Sequence, residues 1–186
     1  MRHAILAALA YEEPSGYDLS KAFDATVSSY WAATSQQLYR ELDRMEAAGL
    51  VVARMVEQEK RPNKRLFSLT DAGRVALREF TSQPPRPIAI RDELLVQVEA
   101  MELGDSGAIH SHIEEKLAAS ENKLRRYRKT QAFLLDERSE EEYLVASRSV
   151  GPYLTLKRGI LFEEENIGWC TFVLQVLSAR AEQAPG

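Results

Sequence analysis

Cysteine is nearly absent: the chain has one, Cys170. A single cysteine excludes an intramolecular disulfide and a cysteine-based zinc site, and it fits a reducing, cytosolic compartment. Histidine is scarce too. His3 is isolated, and His110 and His112 stand two apart, a spacing that puts them on different faces of a helix. No metal site is expected. Long apolar runs are also missing. The stretch 4–11 is too short to span a bilayer and lacks a signal-peptide cleavage region, so it reads as a core helix with no membrane role. No glycine-rich phosphate loop is present and no Ser/His/Asp spacing suggests a nucleophile. The chain is therefore expected to be no enzyme, with no catalytic residue and no cofactor.

Positive charge is the last deficit. The formal net charge of −4 argues against nucleic acid when taken over all 186 residues. The two halves differ, however. Residues 1–80 hold 11 Lys+Arg and 11 Asp+Glu, so the whole excess of acid belongs to the second half. The first half is free to concentrate basic side chains locally.

Residues 34–50, TSQQLYRELDRMEAAGL, carry the most information. Thr34 and Gln37 have the spacing of a capping box, and Gly49 can take the left-handed conformation just past a helix end. Leu38, Leu42 and Met45 recur at i, i+4, i+7 and give one buried stripe. The opposite face shows Gln36, Gln37, Arg40 and Arg44. Glutamine and arginine are the side chains matched to adenine and guanine edges in a major groove. A solvated face of an ordinary amphipathic helix would look the same, so the flanking sequence decides.

Before this helix, residues 2–11 form a short helix with Ile5, Leu6 and Leu9 inward. Ser15 caps a second one that buries Leu19, Ala22 and Phe23. In the looser segment 24–33, which carries Val27, Tyr30 and Trp31, Trp31 reads as a core plug under the next helix. After Gly49 the periodicity switches: residues 51–56 read as a strand and 66–69 as its partner. Between them Lys60, Arg61, Lys64 and Arg65 surround a Pro62-Asn63 turn signal. A basic hairpin directly after a Gln/Arg-faced helix is the wing of a winged helix-turn-helix, with its tip over a phosphate backbone or in a minor groove. A winged helix that binds only proteins tends to lose such basic residues. A further helix starts at Thr70 and runs to about Phe80, and Pro84, Pro85 and Pro87 then form a stiff spacer.

The second half has no strand signal. Residues 90–103 make an amphipathic helix using Ile90, Leu94, Leu95, Val98 and Met101, and Asp105 caps the next. Ile113, Leu117, Ser120, Leu124, Tyr127, Gln131 and Leu134 alternate in steps of four and three, a heptad seam with polar interruptions. Residues 140–149 are a further helical piece. Pro152 suits the first turn of a last helix whose seam is Tyr153, Leu156, Ile160, Glu163, Ile167, Cys170, Leu174 and Leu177. Glu163 is expected to pair with Lys157, Arg158 or a basic residue across a dimer. Phe162, Trp169, Phe172, Val173 and Val176 need burial on the other side, which a second subunit would supply.

At these residues the chain resembles the PadR family of bacterial transcriptional regulators. Ser15-Gly16-Tyr17-Asp18-Leu19, Leu38-Tyr39-Arg40-Glu41-Leu42, Glu46-Ala47-Ala48-Gly49-Leu50-Val51 and Leu69-Thr70-Asp71-Ala72-Gly73 carry the match in the first half. The segment from Tyr153 to Ile160, with Trp169, is similar to the helical C-terminal domain of the family's virulence-activator branch. Many members have Gly-Thr before Leu-Tyr where this chain has Gln36-Gln37, so base preference does not carry over. The resemblance implies a cytoplasmic homodimer with interlocking C-terminal helices, binding an inverted-repeat operator in double-stranded DNA and usually repressing. Some members answer to small aromatic ligands. The alternative function is thus a regulator released from DNA by an aromatic effector near the dimer interface, in a cavity by Trp31, Trp169 or Tyr153.

The expected fold is mostly α (α+β): a winged helix-turn-helix DNA-binding domain at 1–82, a Pro-rich linker at 83–91 and an all-helical dimerisation domain at 92–186. The expected DNA contacts are Gln36, Gln37, Tyr39, Arg40, Arg44, Lys60, Arg61, Lys64 and Arg65. The expected dimer contacts are Tyr153, Leu156, Ile160, Ile167, Trp169 and Leu174.

Overall fold

The computed structural model describes residues 1–25, 31, 33–57, 63–88 and 91–183, the side chains of 24, 25 and 183 aside. Val27, Tyr30, Lys60, Arg61, Pro62 and Ile90 lie outside the described residues. The chain divides into two compact units, Met1–Arg86 and Pro87–Gly186.

The first unit runs α1 (Arg2–Ala8), α2 (Gly16–Ala25), α3 (Ser35–Ala47), β1 (Val51–Val56), β2 (Lys64–Leu69) and α4 (Asp71–Ser82). The two strands pair antiparallel, Val51 opposite Leu69 and Val56 opposite Lys64. This is a winged helix: three helices, a two-stranded wing and a closing helix. Its core joins Ile5, Leu6 and Leu9 of the first helical stretch to Leu19 and Phe23 of α2, Leu38, Leu42 and Met45 of α3, and Val51, Phe67 and Leu69 of the wing. The apolar periodicities at helical and strand spacing all point into this one cluster. Ala22 is exposed rather than buried. Trp31 is 45 % exposed, so it is not the plug expected beneath α3; the buried stripe of α3 is filled by aliphatic side chains instead. The partner strand starts at Lys64, two residues earlier than its apolar pattern suggested, because backbone pairing continues past the last buried side chain.

Two local devices fix the end of α3. Gly49 has φ +69, the left-handed geometry that lets the chain turn out of the helix into β1. Thr70 then ties the far side of the wing to the same point. Its hydroxyl donates to the Gly49 carbonyl at 2.6 Å and accepts the Gly73 N–H at 3.0 Å, capping α4.

The second unit is helical: α5 (Glu93–Glu99), α6 (Ser106–Leu135), α7 (Glu140–Ala146) and α8 (Gly151–Gln183). The helix foreseen over 90–103 is shorter, starting from an Asp92 cap, and Leu95 is exposed. α6 and α8 pack along their length through the predicted seams. Ile113, Ser120, Tyr127 and Gln131 are buried on α6, and Tyr153, Leu156, Ile160, Glu163 and Cys170 are buried on α8. The polar seam positions find partners. Gln131 Nε2 donates to the Tyr153 hydroxyl at 2.9 Å and its Oε1 accepts from Arg128 at 2.8 Å. Glu163, 2 % exposed, pairs with Lys123 of α6 at 3.5 Å and accepts from Asn166. That corrects the partner expected for it: Lys157 instead bonds Glu140 of α7 at 2.8 Å, and Arg158 stands over the Phe162 ring.

Candidate nucleic-acid interface

The site is built outward from the cap of α3. Thr34 Oγ1 accepts the Gln37 N–H at 3.2 Å, and Gln37 Oε1 accepts the Thr34 N–H at 3.0 Å. This reciprocal pair satisfies two free donors and holds the first turn rigid. It also commits one end of the Gln37 amide to the protein, leaving its NH2 group for any outside acceptor. Gln36, Gln37, Arg40 and Arg44 are all exposed on the face opposite the buried stripe.

Electrostatics then singles out one of them. α3 carries three acids, and all are engaged by arginines: Glu41 pairs with Arg44 at 3.5 Å and Arg2 at 3.7 Å, and Asp43 and Glu46 share Arg65. Among the described residues, Arg40 is the one basic side chain of α3 with no carboxylate partner. Net charge along this face is therefore small except where Arg40 stands.

Tyr39 occupies an intermediate position. It is 43 % exposed, yet a Cβ on Gly16 would come within 2.4 Å of its ring. The ring lies on the start of α2, so its first task is to seat α3 against α2. That start is itself capped: Ser15 Oγ accepts the Asp18 N–H at 3.1 Å and donates to Asp18 Oδ2 at 2.7 Å. The Ser15 hydrogen bond holds the Asp18 carboxyl below its ordinary range.

The wing differs from its sequence picture. Lys64 and Arg65 are strand residues, opposite Val56 and Met55, rather than part of the hairpin tip. Lys64 is half-buried. Arg65 folds back onto α3, bonded to Glu46 and to Asp43 at 3.4 Å, with its guanidinium 5.1 Å from the centre of the Phe67 ring. Sequence reasoning missed Asp43 and Glu46 as partners of the wing. They lie 22 and 19 positions away from Arg65, beyond the reach of any helical or strand spacing.

Of the six residues expected at a subunit contact, three are buried within the chain and three, Ile167, Trp169 and Leu174, are half-buried. Tyr153, Leu156 and Ile160 are each 1 % exposed and covered within the same chain, Leu156 and Ile160 by α6 and Tyr153 by Gln131 of α6 and Tyr143 of α7. Trp169 and Leu174 pack on the cluster of Ile109, Ile113, Cys170 and Val173, and Ile167 is half-buried. The exposed large apolar residues among those described on α8 are Leu154, Leu161, Phe162 and Phe172. Leu154, Leu161 and Phe172 are separated by seven and eleven positions, both close to whole numbers of helical turns, so they form a single stripe. Among the described residues, no group of His, Cys, Asp and Glu could hold a metal ion, and no helix is long and apolar enough to cross a membrane.

Comparison with known proteins identifies both units. Residues 5–79 match the model of the transcriptional regulator PadR-like family, and residues 90–178 match the virulence activator alpha C-terminal family. The chain is 30 % identical to the probable transcriptional regulator Rv1176c of Mycobacterium tuberculosis, over 96 % of this chain and 97 % of that one. It is 26 % identical to the negative transcriptional regulator PadR of Bacillus subtilis, over 95 % and 97 % of the two chains. Crystal structures of that PadR have been solved in complex with operator DNA (TM-score 0.74, 24 % identity, 95 % and 96 % covered) and with p-coumaric acid (TM-score 0.66, 23 % identity, 95 % and 98 % covered). The virulence activator AphA of Vibrio cholerae superposes with a TM-score of 0.69 at 29 % identity, over 96 % and 98 % of the chains. These relatives are regulators of transcription and not enzymes. With matches spanning both units and a 30 % identical regulator aligned nearly end to end, the chain belongs to the PadR-like family of transcriptional regulators.

Proposed function

We propose that this protein binds an inverted-repeat operator as a homodimer and represses transcription. In each subunit α3 lies in a major groove, with Gln36, Arg40 and the free amide end of Gln37 at base edges. Arg44, Lys64 and the tip residues Lys60 and Arg61 stand over phosphates, where they fix register rather than sequence. The observation that carries this reading is the α3 face itself. Its acids are all paired with arginines, so the exposed Gln36 and Arg40, which has no carboxylate partner among the described residues, dominate what a duplex would meet. The solved complex of Bacillus subtilis PadR with operator DNA supports a DNA-binding role.

Dimerisation is assigned to the second unit, at the stripe of Leu154, Leu161 and Phe172 together with the exposed Leu144 and Val145 of α7. Apolar side chains of this size in a row mark an interaction surface. Selecting bound duplexes from a random pool tests the whole reading. A recovered inverted repeat is the expected result, and recovery of unrelated sequences contradicts it.

A second reading adds an aromatic effector that releases the DNA, supported by the PadR structure that contains p-coumaric acid. Titrating p-coumaric acid into the protein–operator complex is expected to free the duplex. An unchanged complex at saturating acid contradicts that addition.

A further inference from the structure

We infer that Glu46 is a positioning residue: its carboxylate fixes the wing relative to the recognition helix, and Arg65 serves that contact rather than binding phosphate. The inference rests on the DNA-binding reading above. Glu46 belongs to the last turn of α3, where a negative charge meets the negative end of the helix dipole and is disfavoured unless it is compensated. Its two oxygens are used on two different strands. Oε1 accepts the Ala53 N–H of β1 at 3.3 Å, and Oε2 accepts from Arg65 Nη2 of β2 at 2.5 Å. A single carboxylate thus pins both strands to the helix. Asp43, one turn earlier, receives the other terminal nitrogen of Arg65 at 3.4 Å. The guanidinium fork spans two carboxylates while its central carbon stands 5.1 Å over the Phe67 ring, and a two-carboxylate span is a geometry that arginine supplies and lysine cannot.

This arrangement has an electrostatic consequence of definite sign. Near a polyanion, removing a negative charge strengthens binding, because fewer phosphates are opposed. Glu46→Gln removes one charge beside the proposed DNA face. If Glu46 does no positioning, the variant binds duplex as tightly as the parent or more tightly. If Glu46 holds the wing, the variant binds more weakly despite its gain in net positive charge.

The test is a binding titration of the full chain on its selected duplex. Glu46→Gln is expected to lose about tenfold in affinity, equivalent to about 1.4 kcal/mol. A second arm combines it with Lys60→Ala/Arg61→Ala, in the connection between the two strands. Once that connection has no positive charge to deliver, loss of Glu46 costs little more, so the two changes are strongly non-additive. If Glu46→Gln does not fold, Arg65→Lys replaces it. A phosphate contact tolerates lysine, whereas the spanning role does not, and the same tenfold loss is expected. Equal or tighter binding by Glu46→Gln, additive losses in the combined variant, or full affinity in Arg65→Lys each overturn the inference. Failure of the parent protein to prefer any duplex is a separate result, which removes the DNA-binding reading itself.

Discussion

Gly73, at the start of α4, lies against the carbonyl of Leu50, at the start of the wing: a Cβ there would stand 2.1 Å from that oxygen. The contact is backbone against backbone, so neither side can yield cheaply. It closes the knot in which Thr70 bonds Gly49 and the Thr70 N–H donates to Leu50 at 3.2 Å. The exit of α3, the root of the wing and the entry of α4 are therefore one rigid junction. Gly73→Ala is expected to destabilise the first unit by about 1–3 kcal/mol in a denaturant melt. Gly168→Ala in α8, where an added Cβ meets nothing within 4 Å, is expected to stabilise by about 0.5–1 kcal/mol. Equal effects from the two substitutions would contradict the account of the junction.

Arg40→Ala should weaken binding to the selected duplex by about 1–3 kcal/mol and relax the preference at one base pair. Thr34→Ala acts on the same face through its support. Loss of the capping box costs about 1 kcal/mol of stability, and it frees the Gln37 amide from its fixed orientation. Side-by-side melts and affinity measurements separate the two: Arg40→Ala leaves the melt unchanged, whereas Thr34→Ala lowers it.

The two faces of α8 should respond oppositely to substitution. Leu156→Ala, in the packing against α6, is expected to cost about 2–5 kcal/mol of stability. Leu161→Glu, on the exposed stripe, should leave the helices folded and convert a species of twice 21.0 kDa into one of 21.0 kDa on sedimentation. A dimer that survives Leu161→Glu and Phe172→Glu together places the subunit contact elsewhere.

The Glu140–Lys157 pair gives a pH dependence. The hydrogen bond from Lys157 holds the Glu140 carboxyl below its ordinary range, and the same bond holds the Lys157 ammonium above its own. A depressed carboxylate contributes stability in full above its unfolded pKa, and the contribution is lost as pH falls through the folded one. The raised lysine contributes below its unfolded pKa and loses its share as pH rises through the folded one. The difference in melting temperature between the parent and Lys157→Met should therefore be greatest near neutrality, shrinking below the carboxylate range and again in strong alkali. A difference that grows on acidification contradicts the assignment.

Much of the fold was legible because its signals are local. The capping pair Thr34 and Gln37, the turn at Gly49, and the stripe of Leu38, Leu42 and Met45 each declare themselves within a few residues. The heptad seams of α6 and α8 were legible for the same reason, but a seam states only that a helix has a partner. It does not say whose. Tyr153, Leu156 and Ile160 pack on α6 of their own chain, and the stripe left for another surface, Leu154, Leu161 and Phe172, has too few members to stand out in a helix this apolar. Arg65 is the parallel case in the first unit. Its basic run suggested phosphate, but its partners Asp43 and Glu46 become neighbours only when the wing folds onto α3. Trp31 misled for a simpler reason, since large aromatics are more often buried than exposed and this one is 45 % exposed.

The central claim is that two subunits read one operator as a coupled pair, and helical phasing tests it most directly. A two-fold protein requires half-sites on one face of the duplex, about 10 base pairs apart or a multiple of that. A gel-shift titration should compare the selected operator with versions lengthened between the half-sites by about half a turn and by about one full turn. The half-turn insertion is expected to abolish tight binding. The full-turn insertion should restore the facing of the half-sites and part of the affinity, because residues 84–87, with three prolines, limit how far each winged unit can reach. Equal affinity for all three duplexes would mean that each subunit binds alone, and the account would be wrong.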